Sequence, residues 1–170
     1  MPRRVLVAGA LVAALALSEA AGAAGPDRDG FDQGPLPTDR LDHDLWALAL
    51  NIYHEAGGEG RRGMLAVGWL TLNRLRHPGF PETLVEVVFD ANGNGCAFSW
   101  TCDAADDRPR DPIRFARALA VARELLSAAP PPDPTRGALF MHARSRKPPA
   151  YTRTLRRSAV IGQNVFYRPS

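Results

Sequence analysis

Apolar positions recur with a helical period over four stretches of this chain, and strand-like runs follow near its C-terminus. The first helical run opens after Thr38 and Asp39, either of which can cap it. Leu41, Leu45, Leu48 and Ile52 then fall at steps of four, three and four, which is one buried stripe. A further step of three lands on Glu55. A carboxylate therefore stands where a leucine is expected, at the C-terminal end of the buried face. Gly57 and Gly58 stop the helix there.

The second helix is predicted over about 60–77. Its centre, MLAVGWLTL, is apolar nearly all round, so it should be the most buried helix of the domain. Pro78 prevents its continuation. FPETLVEVVFD, 80–90, predicts a short helix with Pro81 at its start. Residues 91–111 are rich in Gly, Asn and Asp and predict a long loop. An amphipathic helix follows over 111–129, with Asp111 as cap and Pro112 in its first turn. Strand composition returns in 137–143 and 158–168, on either side of the basic segment RSRKPPAYTRTLRR. The pattern predicts an α+β class that is mainly helical, with a small C-terminal β element.

The start of the chain changes the picture. MPRR is a short cationic opening, 5–17 is an apolar run, and Ala21-Gly22-Ala23 fits a cleavage site. That is the pattern of a secretory signal peptide over 1–23. The run of 13 residues is shorter than the ~20 a bilayer span requires. Residues 24–38, rich in Gly, Pro and Asp, read as a linker, and 39–170 as one domain. The expected location is periplasmic or extracellular, with no stable membrane span after cleavage. A monomer is expected.

Composition allows a real core, with 45% hydrophobic residues. The formal net charge of +3 is mildly basic, without a Lys/Arg block dense enough for a nucleic-acid partner. It suits an anionic polymer such as a bacterial wall. In an oxidising compartment Cys96 and Cys102 can bridge, and the short loop CAFSWTC would gain roughly 2–2.5 kcal/mol by the chain-entropy model. Two separate thiols are the alternative. A zinc site lacks further ligands near this pair.

The candidate chemistry centres on YHEAGGEG, 53–60. Glu55 continues an apolar stripe, so burial and the helix C-terminus should both raise its pKa. A carboxyl still protonated near neutral pH is what a general acid at a glycosidic oxygen needs. Glu59 stands near the start of the next helix, where a carboxylate suits the dipole without any catalytic role. HEAGGE does not complete the zinc-protease helix motif, because Gly58 occupies the position of its second histidine. No cofactor or metal is expected.

The stretch IYHEAGGEGRRGMLAVGWLTLNRLRHPGFPETLVEVVF, then CAFSW, ALFMHA and IGQNVFY, resembles the cell wall hydrolase family of the spore-cortex-lytic SleB/CwlJ type. The resemblance covers about 45–168. It implies a lysozyme-like helical fold acting on the glycan strands of peptidoglycan, with Glu55 as the catalytic acid. It also implies lytic transglycosylation at the N-acetylmuramic acid–N-acetylglucosamine bond, for which one carboxyl suffices. Glu59, Asn73, Ser99, His142 and Tyr151 are the candidate substrate contacts. Asn73, on a buried helix, could equally be a structural hydrogen bonder, and His54 or His142 a supporting donor or a structural histidine. Asn164 stands where relatives commonly carry His. Two other readings are a hydrolase using Glu59 as second carboxylate, and a wall-binding module without catalysis.

Overall fold

A computed structural model describes residues 40–92 and 95–170 of the chain. The expected signal peptide, linker and cap residues Thr38 and Asp39 lie outside them. Four α-helices come first: α1 (Arg40–Ala56), α2 (Arg61–Leu75), α3 (Leu84–Phe89) and α4 (Pro112–Leu125). Between α3 and α4 lie two short antiparallel strands, β1 (Ala91–Asn92) and β2 (Gly95–Cys96), and a 3-10 turn at Ser99–Cys102. The C-terminal part is an antiparallel sheet of β3 (Phe140–Ala143), β4 (Arg156–Ile161) and β5 (Asn164–Arg168), in the order β3-β5-β4.

The core forms where α1, α2 and α4 meet. Leu48 and Ile52 of the predicted stripe are completely buried. Helix α2 is enclosed on nearly every side, with all residues from Gly63 to Leu72 buried. Gly68 makes this closeness possible: a Cβ there would lie 2.3 Å from Leu125 Cδ1 and 3.1 Å from Ile52 Cδ1. Asn51 and Thr71 are polar side chains completely buried between α1 and α2, and both are satisfied. Asn51 Nδ2 donates to Thr71 Oγ1 at 2.9 Å, and Thr71 Oγ1 donates to Val67 O at 3.0 Å. Trp100 Nε1 donates to Asn51 Oδ1 at 3.0 Å, which pins the loop after α3 to the helical core.

Several boundaries depart from the sequence reading, among them the end of α4 at Leu125 rather than 129 and the start of β3 at Phe140 rather than 137. Helix α3 starts at Leu84 rather than at Pro81, because Thr83 is its cap: Thr83 Oγ1 accepts from Glu86 N at 3.2 Å and donates to Glu86 Oε2 at 2.8 Å. The expected loop 91–111 begins with the β1–β2 pair, in which Ala91 faces Cys96. The strand expected over 158–168 is a hairpin, since Gly162 takes φ +57° and turns the chain between Ile161 and Asn164. A left-handed residue needs no special environment when it is glycine. Asp111 caps α4 as expected, accepting from Ile113 N and Arg114 N at 3.1 and 3.0 Å, with Pro112 in the first turn.

Candidate active site

Glu55 lies on the last turn of α1 and is half-buried. Burial pushes its carboxyl above the usual 4.5, and the positive charge of Arg74 pulls it partly back. Arg74, at the end of α2, is the cation at the centre of this region. Its side chain is fixed by hydrogen bonds from Nε to Leu139 O at 2.8 Å and from an Nη to Ala97 O at 3.3 Å. Its guanidinium also rests 4.8 Å from the ring centre of Phe98 and 5.3 Å from that of Phe80. Burial lowers its pKa to about 10, against the opposing pull of Tyr151, Glu55 and Asp90. It stays a cation at neutral pH, held where Glu55, Asp90 and Tyr151 all feel it.

The rest of the surroundings is aromatic. Tyr151, on a 3-10 turn at Ala150–Thr154, donates its hydroxyl to Met141 O at 2.9 Å and is 45% exposed. Its phenol is raised by burial and lowered by Arg74. The rings of Phe80, Phe140 and Tyr151 follow one another at 6.1 and 5.7 Å. Beside Glu55, His54 stacks on Trp100 at 4.3 Å, and its Nε2 lies 3.0 Å from Asp107 O. Tyr53 Oη accepts from Arg110 N and Asp111 N at 3.1 and 3.2 Å. The last turn of α1 thus presents three consecutive side chains, two anchoring the 97–111 loop and one facing Arg74.

Glu59 has a different setting. Its Oε1 accepts from Gln163 N at 3.1 Å and from Asn164 Nδ2 at 3.3 Å. Its Oε2 is buried and pressed against the turn: a Cβ on Gly162 would overlap it at 1.6 Å. Glu59 therefore ties the β4–β5 hairpin to the start of α2. Asn164 supplies one half of that tie.

The other candidates divide. Tyr151 belongs to the cluster around Arg74. Asn73 Nδ2 is engaged with Asp133 Oδ2 at 3.0 Å and Ala138 O at 3.2 Å. Burial raises the Asp133 carboxyl, but bonds from Thr135, Asn73 and Gly137 outweigh it and hold the group below its usual pKa. His142 sits on β3 with Nε2 3.1 Å from Tyr167 Oη and Nδ1 2.9 Å from Ala143 O. Ser99 is exposed at the start of the 3-10 turn that Cys96 and Cys102 bracket. Those two cysteines are paired, with Cα atoms 6.3 Å apart. Arg74 and Asp90 were not singled out by sequence reasoning. The available signal for Arg74 was a charge directly after the apolar centre of α2.

A groove of about 670 Å³ runs along α3, lined by Pro81, Glu82, Val85, Glu86, Phe89, Asp90 and Ala91. Glu55 is not among its lining residues. The charge of Asp90 acts on Arg74, and Phe89, 42% exposed, connects the groove to Trp100 at 5.6 Å. Among the described residues no group of three His, Cys, Asp or Glu is placed to hold a metal ion, and no helix is long and apolar enough to cross a membrane.

Solved structures share this architecture. The catalytic domain of the Bacillus cereus SleB protein superposes with a TM-score of 0.59 at 23% identity, covering 80% of this chain and 99% of that one. The catalytic domain of the germination-specific lytic transglycosylase SleB from Bacillus anthracis gives 0.50 at 21% identity, covering 79% and 100%. The fold is thus that of a SleB-type catalytic domain. A profile of the Cell Wall Hydrolase family matches residues 58–167, and the chain belongs to that family. The matched span takes in Glu59, Arg74 and Tyr151 and begins three residues after Glu55. A spore cortex-lytic enzyme of Halalkalibacterium halodurans is 31% identical over 105 residues, 62% of this chain and 28% of that protein. Another, from Oceanobacillus iheyensis, is 35% identical over 69 residues, 41% of this chain and 25% of that protein. The chain thus matches little more than a quarter of the length of these relatives.

Proposed function

We propose that the domain cleaves peptidoglycan glycan strands at the N-acetylmuramic acid–N-acetylglucosamine bond, as a lytic transglycosylase with Glu55 as its acid and base. The observation that carries this reading is the setting of Glu55: a carboxyl at the end of the buried face of α1, raised by burial and subject to the charge of Arg74, a cation fixed by its hydrogen bonds to Leu139 O and Ala97 O. As the acid, Glu55 gives its proton to the glycosidic oxygen, and the bond from that oxygen to the muramic anomeric carbon breaks. As the carboxylate, it takes the proton of the muramic C6 hydroxyl, whose oxygen bonds to the same carbon. The product is a 1,6-anhydro end. Arg74 suits the second stage, because its charge favours the carboxylate that the first stage leaves behind. No second carboxylate is required, and Glu59 is already engaged with the hairpin.

The wall lies outside the cytoplasm, so this reading includes export, removal of the leader after Ala23, and a Cys96–Cys102 bridge formed there. Masses with and without reductant and alkylation check the bridge. Two alkylated thiols in the unreduced protein would remove it.

Asp90 supports one competing account, because its charge too acts on Arg74 and it is a second carboxylate that could direct a water. Wall digestion in heavy-oxygen water separates the two. Anhydro ends without label support the transglycosylase. Reducing muramic ends carrying one heavy oxygen would replace it with hydrolysis.

A further inference from the structure

The chain segregates its charge more sharply than its net value of +3 suggests. Residues 134–170 contain eight Lys and Arg and no Asp or Glu, whereas residues 80–111 contain seven acidic residues against two basic ones. Arg144, Arg146, Lys147, Arg153, Arg156 and Arg157 are all exposed. Among the described residues none of them forms an ion pair; the three pairs present lie elsewhere, as Arg61–Glu124, Arg108–Asp106 and Arg114–Asp111. In the sheet Arg156 stands directly across from Arg168. Like charges in that register repel.

Edge protection explains only part of this. β4 is an edge strand, and cations on an edge discourage pairing with other chains. Arg144, Arg146, Lys147 and Arg153 lie off the strand, in the connection between β3 and β4. That connection carries Tyr151 in its midst, and the rings of Tyr151, Phe140 and Phe80 lead in turn to the Arg74 guanidinium. The acidic segment meets the same arginine through Ala97 O, which accepts from it at 3.3 Å, and through the rings of Phe80 and Phe98. Two segments of opposite charge therefore converge on the candidate site.

We infer that the basic β3–β4 connection and β4 bind the carboxylates of peptide-bearing strands, so that the protein selects anionic, stem-bearing peptidoglycan over strands whose carboxyl groups are neutralised. This rests on the reading of the domain as a glycan-strand enzyme. The sugar backbone of the strand offers no charge to a cation. Its negative groups are the free carboxylates of the peptide stems and, where a stem is missing, the lactyl carboxylate, all on the muramic residues. Those groups pair with the basic segment and are repelled by Glu82, Glu86 and Asp90 along α3. The strand then lies with its stems toward the sheet and its unsubstituted sugars toward the α3 groove.

The test uses the full chain and two forms of one substrate: purified peptidoglycan, and the same material with its carboxylates amidated by carbodiimide and a small amine. Co-sedimentation with a Glu55→Gln background measures binding apart from cleavage. The triple variant Arg153→Gln/Arg156→Gln/Arg157→Gln should bind native wall roughly tenfold more weakly at low salt, the order expected when three exposed ion pairs are lost together. The deficit should shrink as salt rises. On amidated wall the ratio of unsubstituted to triple-variant binding should approach one. A control, Arg62→Gln/Arg117→Gln/Arg123→Gln, removes the same charge from exposed positions on α2 and α4. Equal loss in this control would reduce the effect to net charge and overturn the inference. So would an undiminished deficit on amidated wall, or full binding by the triple variant when its melting temperature matches that of the unsubstituted chain. A wild-type chain that binds native wall in this charge-dependent way yet releases no fragments would keep the inference and end the enzymatic reading.

Discussion

The end of α1 and the start of α2 each carry a glutamate, only four positions apart in the chain, yet the two side chains live in different surroundings. Glu55 closes an apolar stripe, is desolvated, and faces a fixed arginine across space. Glu59 is held by two hydrogen bonds from a hairpin a hundred residues later in the chain and is pressed against a glycine. One carboxyl is placed where losing or gaining a proton matters. The other is placed where its shape and acceptor oxygens matter. Spacing in a motif does not separate these roles; the partners of each oxygen do.

The largest effect that could break this contrast is the loss of the acid. Glu55→Gln should lower fragment release from purified wall by roughly 10²–10⁴-fold, the range for a general acid–base group, while the protein stays folded. Muropeptide analysis and a thermal melt read both quantities. A rate within a few-fold of wild type would leave the two glutamates without a functional distinction.

Next comes the fit of Glu59 against the turn. Gly162→Ala forces a side chain into a left-handed backbone and onto Glu59 Oε2, so it should cost about 1–3 kcal/mol of stability. Adding Glu59→Ala should recover the part due to the clash and leave the backbone part. Denaturant titration of both variants measures it, and strictly additive losses would show that the two residues do not touch.

Glu59→Gln should be milder. The amide keeps an acceptor for Gln163 N but weakens the tie to Asn164, so stability should fall by about 1 kcal/mol. Cleavage should fall far less than in Glu55→Gln. Total loss in both variants would favour a two-carboxylate hydrolase.

The smallest effect sharpens the contrast through pH. The folded state raises the pKa of Glu55 above 4.5, so it binds that proton more tightly than the unfolded chain does. The stability from this group is complete below the unfolded value and is lost as pH rises through the folded one. Glu55→Gln should therefore melt above wild type at pH 7, with the gap closing toward pH 4. A gap that widens on acidification would contradict a raised pKa.

Much of this was legible in the sequence because local rules governed it. The stripe from Leu45 to Ile52 located Glu55, the apolar centre of α2 marked its burial, and Asp111-Pro112 marked the start of α4. What escaped depends on distant partners. Gly162 divides an otherwise continuous β-type run only because Glu59 and the hairpin register require a turn there. Thr83 competes with Pro81 for the start of α3 and wins through its bonds to Glu86. Asn73 could have faced a sugar, but the acceptor it uses, Asp133, is 60 residues away. Arg74 gains its importance from carbonyls of Ala97 and Leu139, which no local pattern connects to it.

Tyr53 gives the region a built-in reporter. One phenol oxygen holds the amide hydrogens of Arg110 and Asp111, so neither can exchange with solvent until the tyrosine lets go. His54, next in the chain, holds Asp107, and Trp100 of the same loop is anchored to the core. Detaching this loop therefore strips neighbours from the turn that carries Glu55. Deuterium uptake at Arg110 and Asp111 then times the opening event, and its free energy can be read directly when reclosing is fast. A strand that shelters Glu55 by packing on the loop should slow those two amides before it slows any in α4's middle turns.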